Sequence, residues 1–150
     1  MADRAMTFEL PDGNLLEVLF QATFPALSPS ATRIGWSISR ERRPDIVLVL
    51  HSQDAVRAVV LDAKWRSKRR NILQAMESAH IHHHALRVAG VPPSPCILLL
   101  PGQPEVSALE APEYLVTHGV GAMSNLRIAA GGLTHLAVLL SDWLDLPHSP

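Results

Sequence analysis

Two aspartates and one lysine, Asp45, Asp62 and Lys64, stand at the ends of two apolar runs and have the side chains of a metal-dependent hydrolytic site. The two runs flank a short polar segment, Ser52-Gln53-Asp54-Ala55, and are typical of the strands of a hairpin. With a two-residue turn at Gln53-Asp54, the numbers of facing residues sum to 107, and Asp45 falls opposite Asp62. Lys64 then shares their face, because side chains alternate along a strand.

Facing carboxylates in an apolar hairpin need compensation, because like charges directly opposite each other destabilise a sheet. A divalent cation such as Mg²⁺ or Mn²⁺ compensates them, since Mg²⁺ binds one or two carboxylates and keeps water and phosphate oxygens as further ligands. Such an ion also activates water and stabilises charge that develops on a phosphate. We therefore predict a site for phosphodiester hydrolysis. The alternative is that Asp45 begins a strand while Asp62 and Lys64 form a surface ion pair.

The order of the remaining segments predicts an α/β domain with a mixed sheet flanked by helices, because strands come first and then alternate with helices. The clearest helix is expected at residues 71–89, ended by Gly90 and a proline cluster. We expect one domain over residues 1–150. The predicted strands cover residues 15–24, 32–39, 46–50, 55–61, 96–100 and 119–129, and the other predicted helices cover residues 108–117 and 133–144.

The composition excludes several classes of protein. Of the 150 residues, 47% are apolar and 18% are charged, which permits a packed core and argues against general disorder. No apolar run approaches the ~20 residues of a membrane span, and the first residues lack the layout of a signal peptide. We expect a cytoplasmic protein. Cys96, the only cysteine, lies in an apolar run and is predicted to be a buried, unreactive thiol.

The charge pattern is local, because the formal net charge is only −1. One basic run precedes the first strand of the hairpin, and another follows the second strand. Either run alone is typical of a solvated surface. Because the two runs flank the same hairpin, we expect them to bind nucleic acid. The candidate residues are Arg43, Arg66, Lys68, Arg69 and Arg70.

The spacing of the acidic residues resembles a known signature. Pro44-Asp45, followed 17 positions later by Asp62-Ala63-Lys64, is similar to the motif of the PD-(D/E)XK nucleases, the restriction-endonuclease-like superfamily. Longer phrases resemble a branch that comprises nuclease domains of modification-dependent restriction systems and related defence proteins. These phrases are Arg43–Leu48, Leu61–Arg66, His80–Leu86, Ile97–Gly102 and Gly119–Ala122, and the resemblance spans roughly residues 35–145.

The resemblance implies a core sheet with helices on both faces and Mg²⁺-dependent hydrolysis of DNA in restriction, defence or repair. It makes Asp45 and Asp62 metal ligands and Lys64 the catalytic lysine. Because no reader domain is recognisable, we expect the DNA target to be chosen by a partner protein or by a second copy of the chain. A homodimer would let two sites cut both strands of a duplex.

The chain departs from the family pattern at two places. Many members carry a metal-site glutamate on an upstream helix, whereas the candidate here, Glu17, lies on an expected strand, and Glu9 and Glu41 match no better. The Tyr-Arg-Asp expected near the end of the long helix is replaced by His82-His83-His84. Gln74 is similar to a glutamine that some members use at their site, but a solvent-facing helix residue is an equal alternative.

Three alternatives remain open at this stage. A non-catalytic member of the fold could use its basic residues to bind nucleic acid or a protein. His80 and His84, four residues apart on a helix, could hold zinc, although His83 continues the apolar stripe and is expected to face the core. Trp36 and Trp65 could stack on a base, but large apolar residues beside a sheet more often belong to the core.

Overall fold

The computed structural model describes residues 4–27, 35–66, 68–127 and 131–145, and this part of the chain folds into strands and helices in alternation. The strands are β1 (Arg4–Glu9), β2 (Leu15–Phe20), β3 (Gly35–Ser37), β4 (Ile46–His51), β5 (Val56–Ala63), β6 (Leu86–Val88), β7 (Cys96–Leu99) and β8 (Val120–Met123). The helices are α1 (Arg69–Ala85), α2 (Pro112–His118) and α3 (Gly132–Asp145), with a 3₁₀ turn at Ser107–Glu110. The predicted α/β class is confirmed.

The central sheet has the strand order β1-β2-β4-β5-β7-β8, and β3 pairs with β6 in a separate two-stranded sheet. Strands β1, β2, β4 and β5 pair antiparallel within the central sheet, whereas β5, β7 and β8 are parallel. Helix α1 packs on one face, where Ile72 and Met76 join Val47 and Val60 in the core. Trp143 of α3 packs on the opposite face. The predicted mixed sheet with helices on its two faces is therefore observed.

The β4–β5 hairpin has the predicted register. Ile46 faces Leu61 and Leu50 faces Arg57, so the numbers of facing residues sum to 107. The turn is closed at Ser52, whose backbone N–H donates to the carbonyl oxygen of Ala55 at 3.0 Å. The Ser52 hydroxyl donates to the same oxygen at 3.0 Å, which stabilises a turn that lacks glycine.

The long helix ends earlier than predicted. Helix α1 stops at Ala85, and Leu86–Val88 forms β6, which pairs antiparallel with β3. The prediction extended the helix to residue 89 because apolar spacing alone does not reveal a strand partner far away in sequence. Gly90 instead lies in the turn that follows β6.

The first strand was not predicted. Strand β1 is the edge strand of the sheet, and all its described side chains are exposed. Met6 and Phe8 alternate with Thr7 and Glu9, but this alternation is too short to identify a strand by itself. The predicted strands at 32–39 and 119–129 are observed only as β3 and β8. Residues 32–34 and 128–129 of those predictions lie outside the described residues.

Two further expectations concern burial. Cys96 is fully buried in β7, and burial raises the pKa of its thiol, so the group is protonated at neutral pH. The predicted buried cysteine is confirmed. No helix in the described ranges of the chain is both long and apolar enough to cross a membrane.

Gly119 is a position where both the backbone conformation and the available space disfavour a methyl group. It caps the C-terminus of α2 with a φ of +66°, and a Cβ there would lie 2.5 Å from Cε1 of His83. We expect Gly119→Ala to lower the free energy of unfolding by about 1–3 kcal/mol. Urea denaturation measures this loss. Gly102→Ala is the control, since a Cβ at Gly102 meets no atom within 4 Å and should change stability little.

Candidate active site

Asp62 lies near the end of β5, where it is 4% exposed. Its Oδ2 atom accepts hydrogen bonds from Nζ of Lys64 at 2.9 Å and from the hydroxyl of Ser78 at 2.8 Å. Burial raises the pKa of Asp62, but the hydrogen bonds from Lys64 and Ser78 and the charge of Lys64 together outweigh it and hold the pKa below its usual value. The carboxylate is therefore ionised at neutral pH.

Asp45 directly precedes β4 and meets the end of β5. Its Oδ2 atom accepts the backbone N–H of Ala63 at 2.9 Å, and Ala63 is the residue after Asp62. The hairpin thus brings both carboxylates and Lys64 to one end of the sheet, as the register predicted. In each aspartate only Oδ2 receives a hydrogen bond from the described residues, so Oδ1 has coordination capacity left.

Helix α1 contributes two residues that were not among the predicted site residues, Ser78 and His82. They are four residues apart and share the helix face that packs on β5. His82 is 7% exposed, and its Nδ1 atom is buried without a hydrogen-bond partner in the described part of the chain. Burial lowers the pKa of His82 and outweighs the nearby charge of Asp62, so the imidazole is neutral at neutral pH.

The sequence prediction chose the wrong histidine for the buried position. His82 is buried, whereas His83 is half-buried and its Nδ1–H donates to the carbonyl oxygen of Pro93 at 2.8 Å. An α-helix has 3.6 residues per turn, which is not a whole number. A row of apolar residues followed over several turns therefore does not decide which of two neighbouring residues faces the core. The sequence did contain one indication of the buried position. Ser78 and His82 are four residues apart and so share a helix face, and this face lies beside the buried Ala79.

An open cleft of about 320 Å³ lies beside Lys64. Gln74 lines this cleft, so the residue proposed from the family pattern stands next to the predicted lysine even though it is exposed. Glu77, which the sequence analysis did not select, adds a carboxylate to the same wall. The cleft is lined by Lys64, Arg66, Asn71, Gln74, Ala75, Glu77, Ser78 and Ile81.

Glu17 does not join the site. It lies on β2 opposite Val49, and its carboxylate contacts Nε2 of His51 at 2.7 Å. Val49 is four residues from Asp45, which corresponds to about 13 Å along a strand. Glu17 therefore belongs to the same sheet as Asp62, but it lies beside the end of β4 that is far from Asp45.

The basic residues predicted to bind nucleic acid are all exposed. Arg43 donates through Nε to the carbonyl oxygen of Gln21 at 2.8 Å, and Arg66 lines the cleft. Lys68 is the N-cap residue of α1, with Arg69 and Arg70 in the first turn, which contains no acidic residue. Because a helix N-terminus carries partial positive charge, these cations add to the field there and make this end attractive to anions.

The donor set fits a hard divalent cation. Mg²⁺ is commonly held by one or two carboxylates together with waters and substrate phosphate oxygens, and Asp45 and Asp62 provide two ionic ligands. Within residues 4–27, 35–66, 68–127 and 131–145, no three His, Cys, Asp or Glu side chains form a group that could hold a metal ion. This statement includes the exposed His80 and His84, the pair considered for zinc.

A larger cavity of about 960 Å³ lies on the opposite face of the sheet, beside α3. Arg57 lines it, donates through Nη1 to the carbonyl oxygen of Trp143 at 2.9 Å, and places its guanidinium carbon 5.2 Å from the centroid of that ring. None of the predicted site residues lines this cavity. Lys64, Arg66 and Gln74 line the smaller cleft, whereas Asp45 and Asp62 line neither of the two.

Ser78 is expected to act as a positioning residue for Asp62. Ser78→Ala removes the 2.8 Å hydrogen bond and should weaken Mn²⁺ binding by about 10-fold, because loss of a partner that orients a ligand typically costs 10–100-fold in affinity or activity. Isothermal titration calorimetry measures this affinity. Ser141→Ala, at an exposed position of α3, is the matched control. An unchanged affinity in Ser78→Ala would remove Ser78 from the site.

Comparisons of the chain with protein-family models, with curated proteins and with solved structures found no match. The functional assignment consequently depends on the residues and geometry described above.

Proposed function

We propose that this chain is a metal-dependent nuclease of the PD-(D/E)XK type that hydrolyses phosphodiester bonds in DNA. The observation that carries the proposal is the convergence of Asp45, Asp62 and Lys64 at one end of the hairpin. Each carboxylate keeps one oxygen without a donor from the described residues. Lys64 and Ser78, the two side chains bonded to Asp62, line an open cleft together with Arg66. This arrangement has the parts that phosphodiester hydrolysis needs, which are anionic metal ligands and a cation for the phosphate.

In this proposal Asp45 and Asp62 would hold Mg²⁺ or Mn²⁺. When bound, such an ion supplies Lewis acidity and lowers the pKa of a water molecule. Ser78 orients the Asp62 carboxylate, and the N–H of Ala63 orients that of Asp45. The ammonium group of Lys64 has three donors, of which one bonds Asp62, so two remain for a phosphate oxygen or the attacking water.

The basic residues would bind the substrate backbone. Arg66 lies in the cleft wall, and Lys68, Arg69 and Arg70 lie at the start of α1. Such contacts supply affinity that falls with salt concentration and carries no sequence preference. They support nucleic acid as the substrate class in spite of the net charge of −1.

The biological setting proposed from the family resemblance is restriction, defence or DNA repair in the cytoplasm. One site cuts one strand, so cleavage of a duplex calls for a second copy of the chain or two successive events. A partner protein or a second copy would also supply the choice of target.

The test is a cleavage assay with end-labelled DNA, single-stranded and duplex, in Mg²⁺, Mn²⁺ or EDTA. We expect products with either metal and none in EDTA. Calorimetry should show Mn²⁺ binding in the millimolar range or tighter, and Asp45→Asn should weaken it. If the chain binds DNA in a salt-dependent manner but neither cleaves it nor binds Mn²⁺, the non-catalytic alternative replaces this proposal.

A further inference from the structure

Trp65 is unusually exposed for a tryptophan. Its side chain is 83% exposed, whereas Trp143 is 5% exposed and Trp36 is half-buried. A large aromatic ring that stays in water contributes almost no burial energy to folding, so packing in the core does not explain Trp65. The sequence analysis considered a core role for Trp65, and the structure excludes that role.

The backbone presents Trp65 on a defined turn. The N–H of Lys64 donates to the carbonyl oxygen of Leu99 at 3.0 Å, and the N–H of Arg66 donates to the carbonyl oxygen of Lys64 at 2.9 Å. The second bond spans three residues and therefore closes a γ-turn with Trp65 at its centre. The Cα atom of Trp65 is consequently about 3.8 Å from that of Lys64. The ring stands on a hydrogen-bonded turn directly beside the proposed catalytic lysine.

The surroundings of Trp65 match one kind of ligand. Lys64 and Arg66 flank it and line the cleft, and the basic first turn of α1 follows within a few residues. An aromatic ring beside a row of cations is the combination that proteins use to bind single-stranded nucleic acid, where the ring stacks on a base and the cations contact the backbone. Bases inside a duplex already stack on both neighbours, so an exposed ring selects unpaired bases.

We propose that Trp65 stacks on an unpaired base next to the phosphate that is cleaved, so that the preferred substrate is single-stranded DNA or a single-stranded end of a duplex. This inference rests on the proposed nuclease function for the position of the phosphate. The stacking contact itself does not require cleavage. It can therefore be measured without the catalytic metal.

The test measures binding in EDTA by fluorescence anisotropy, using a labelled 15-nucleotide oligo(dT) and a blunt duplex of the same length. We expect Trp65→Ala to weaken oligo(dT) binding by about 5- to 150-fold, the range for loss of one stacked base, and duplex binding by less than about 2-fold. Trp65→Phe should recover most of the loss because it keeps a ring. Oligo(dT) should quench the tryptophan emission of the wild type. The quenching should be much smaller in Trp65→Phe, because its two remaining tryptophans, Trp36 and Trp143, are not the ones proposed to stack on a base.

The possible outcomes separate this inference from the proposed function. If Trp65→Ala lost the same affinity for oligo(dT) and for the duplex, the stacking proposal would be overturned. It would also be overturned if the variant lost no affinity for either, and the exposed ring would then be assigned to a protein contact. If the wild type cleaves DNA with Mg²⁺ while Trp65→Ala keeps full affinity for oligo(dT), the nuclease proposal is supported and the stacking proposal is refuted. A wild type without cleavage but with Trp65-dependent oligo(dT) binding supports stacking and refutes catalysis. Because Trp65 is exposed, the variants should fold, and thermal unfolding checks this.

Discussion

Lys64→Ala should reduce the rate constant of DNA cleavage by about 10²- to 10³-fold, the cost of removing one donor that stabilises charge in a transition state. The ammonium of Lys64 lies 2.9 Å from Oδ2 of Asp62, and Lys64 borders the cleft. In the proposed site it would therefore face a phosphate bound by the metal ion that the two aspartates would hold. Single-turnover cleavage of labelled DNA measures the effect. The affinity for DNA, measured in EDTA, should change by only a few fold, because several other cations would contact the backbone in the proposed complex.

Lys64→Arg is the matched variant for this prediction. It keeps the positive charge but replaces a compact ammonium with a planar guanidinium, so we expect a rate between those of the wild type and Lys64→Ala. Equal rates for all three proteins would show that Lys64 only pairs with Asp62 and has no part in the reaction. A loss of DNA affinity as large as the loss of rate would assign Lys64 to binding instead of catalysis.

Asp62→Asn should lower the cleavage rate by about 10³-fold or more and abolish Mn²⁺ binding in the low millimolar range. The change removes a buried carboxylate that would bind the proposed metal ion. A bound metal ion stabilises the charge of the transition state by several kcal/mol, and each ~1.4 kcal/mol corresponds to a tenfold change in rate. Asparagine has nearly the same shape and can still accept the Ser78 hydrogen bond. Loss of function with a retained fold is therefore the expected result, as measured by cleavage, calorimetry and thermal unfolding.

Glu17→Gln is the matched control for Asp62→Asn. It removes one carboxylate charge about 13 Å along the strands from Asp45, where Glu17 contacts His51. We expect its cleavage rate to remain within about threefold of the wild type. A loss comparable to that of Asp62→Asn would mean that Glu17 binds the metal. The active protein would then have to hold Glu17 closer to Asp45 than its position on β2, opposite Val49, allows.

The sequence alone determined the hairpin and the convergence of Asp45, Asp62 and Lys64 at one of its ends. The register depends on a turn of two residues and on alternation with period two, which are both local, so arithmetic on residue numbers placed Asp45 beside Asp62. The face of Lys64 followed from the same alternation. The apolar runs that became β4, β5 and β7 were also recognisable, because strands buried on both faces are continuous in composition.

Tertiary structure alone decided which residues of α1 lie near Asp62. Helix α1 packs on β5 so that Ser78 donates to Asp62 and His82 is buried within reach of the charge of Asp62, whereas apolar spacing within the helix favoured His83. Likewise, only the pairing of β2 with β4 shows that Glu17 is at the wrong end of the sheet. These placements depend on contacts between segments that are distant along the chain. The sequence pattern of one segment does not carry them, because packing chooses among several faces of similar apolarity.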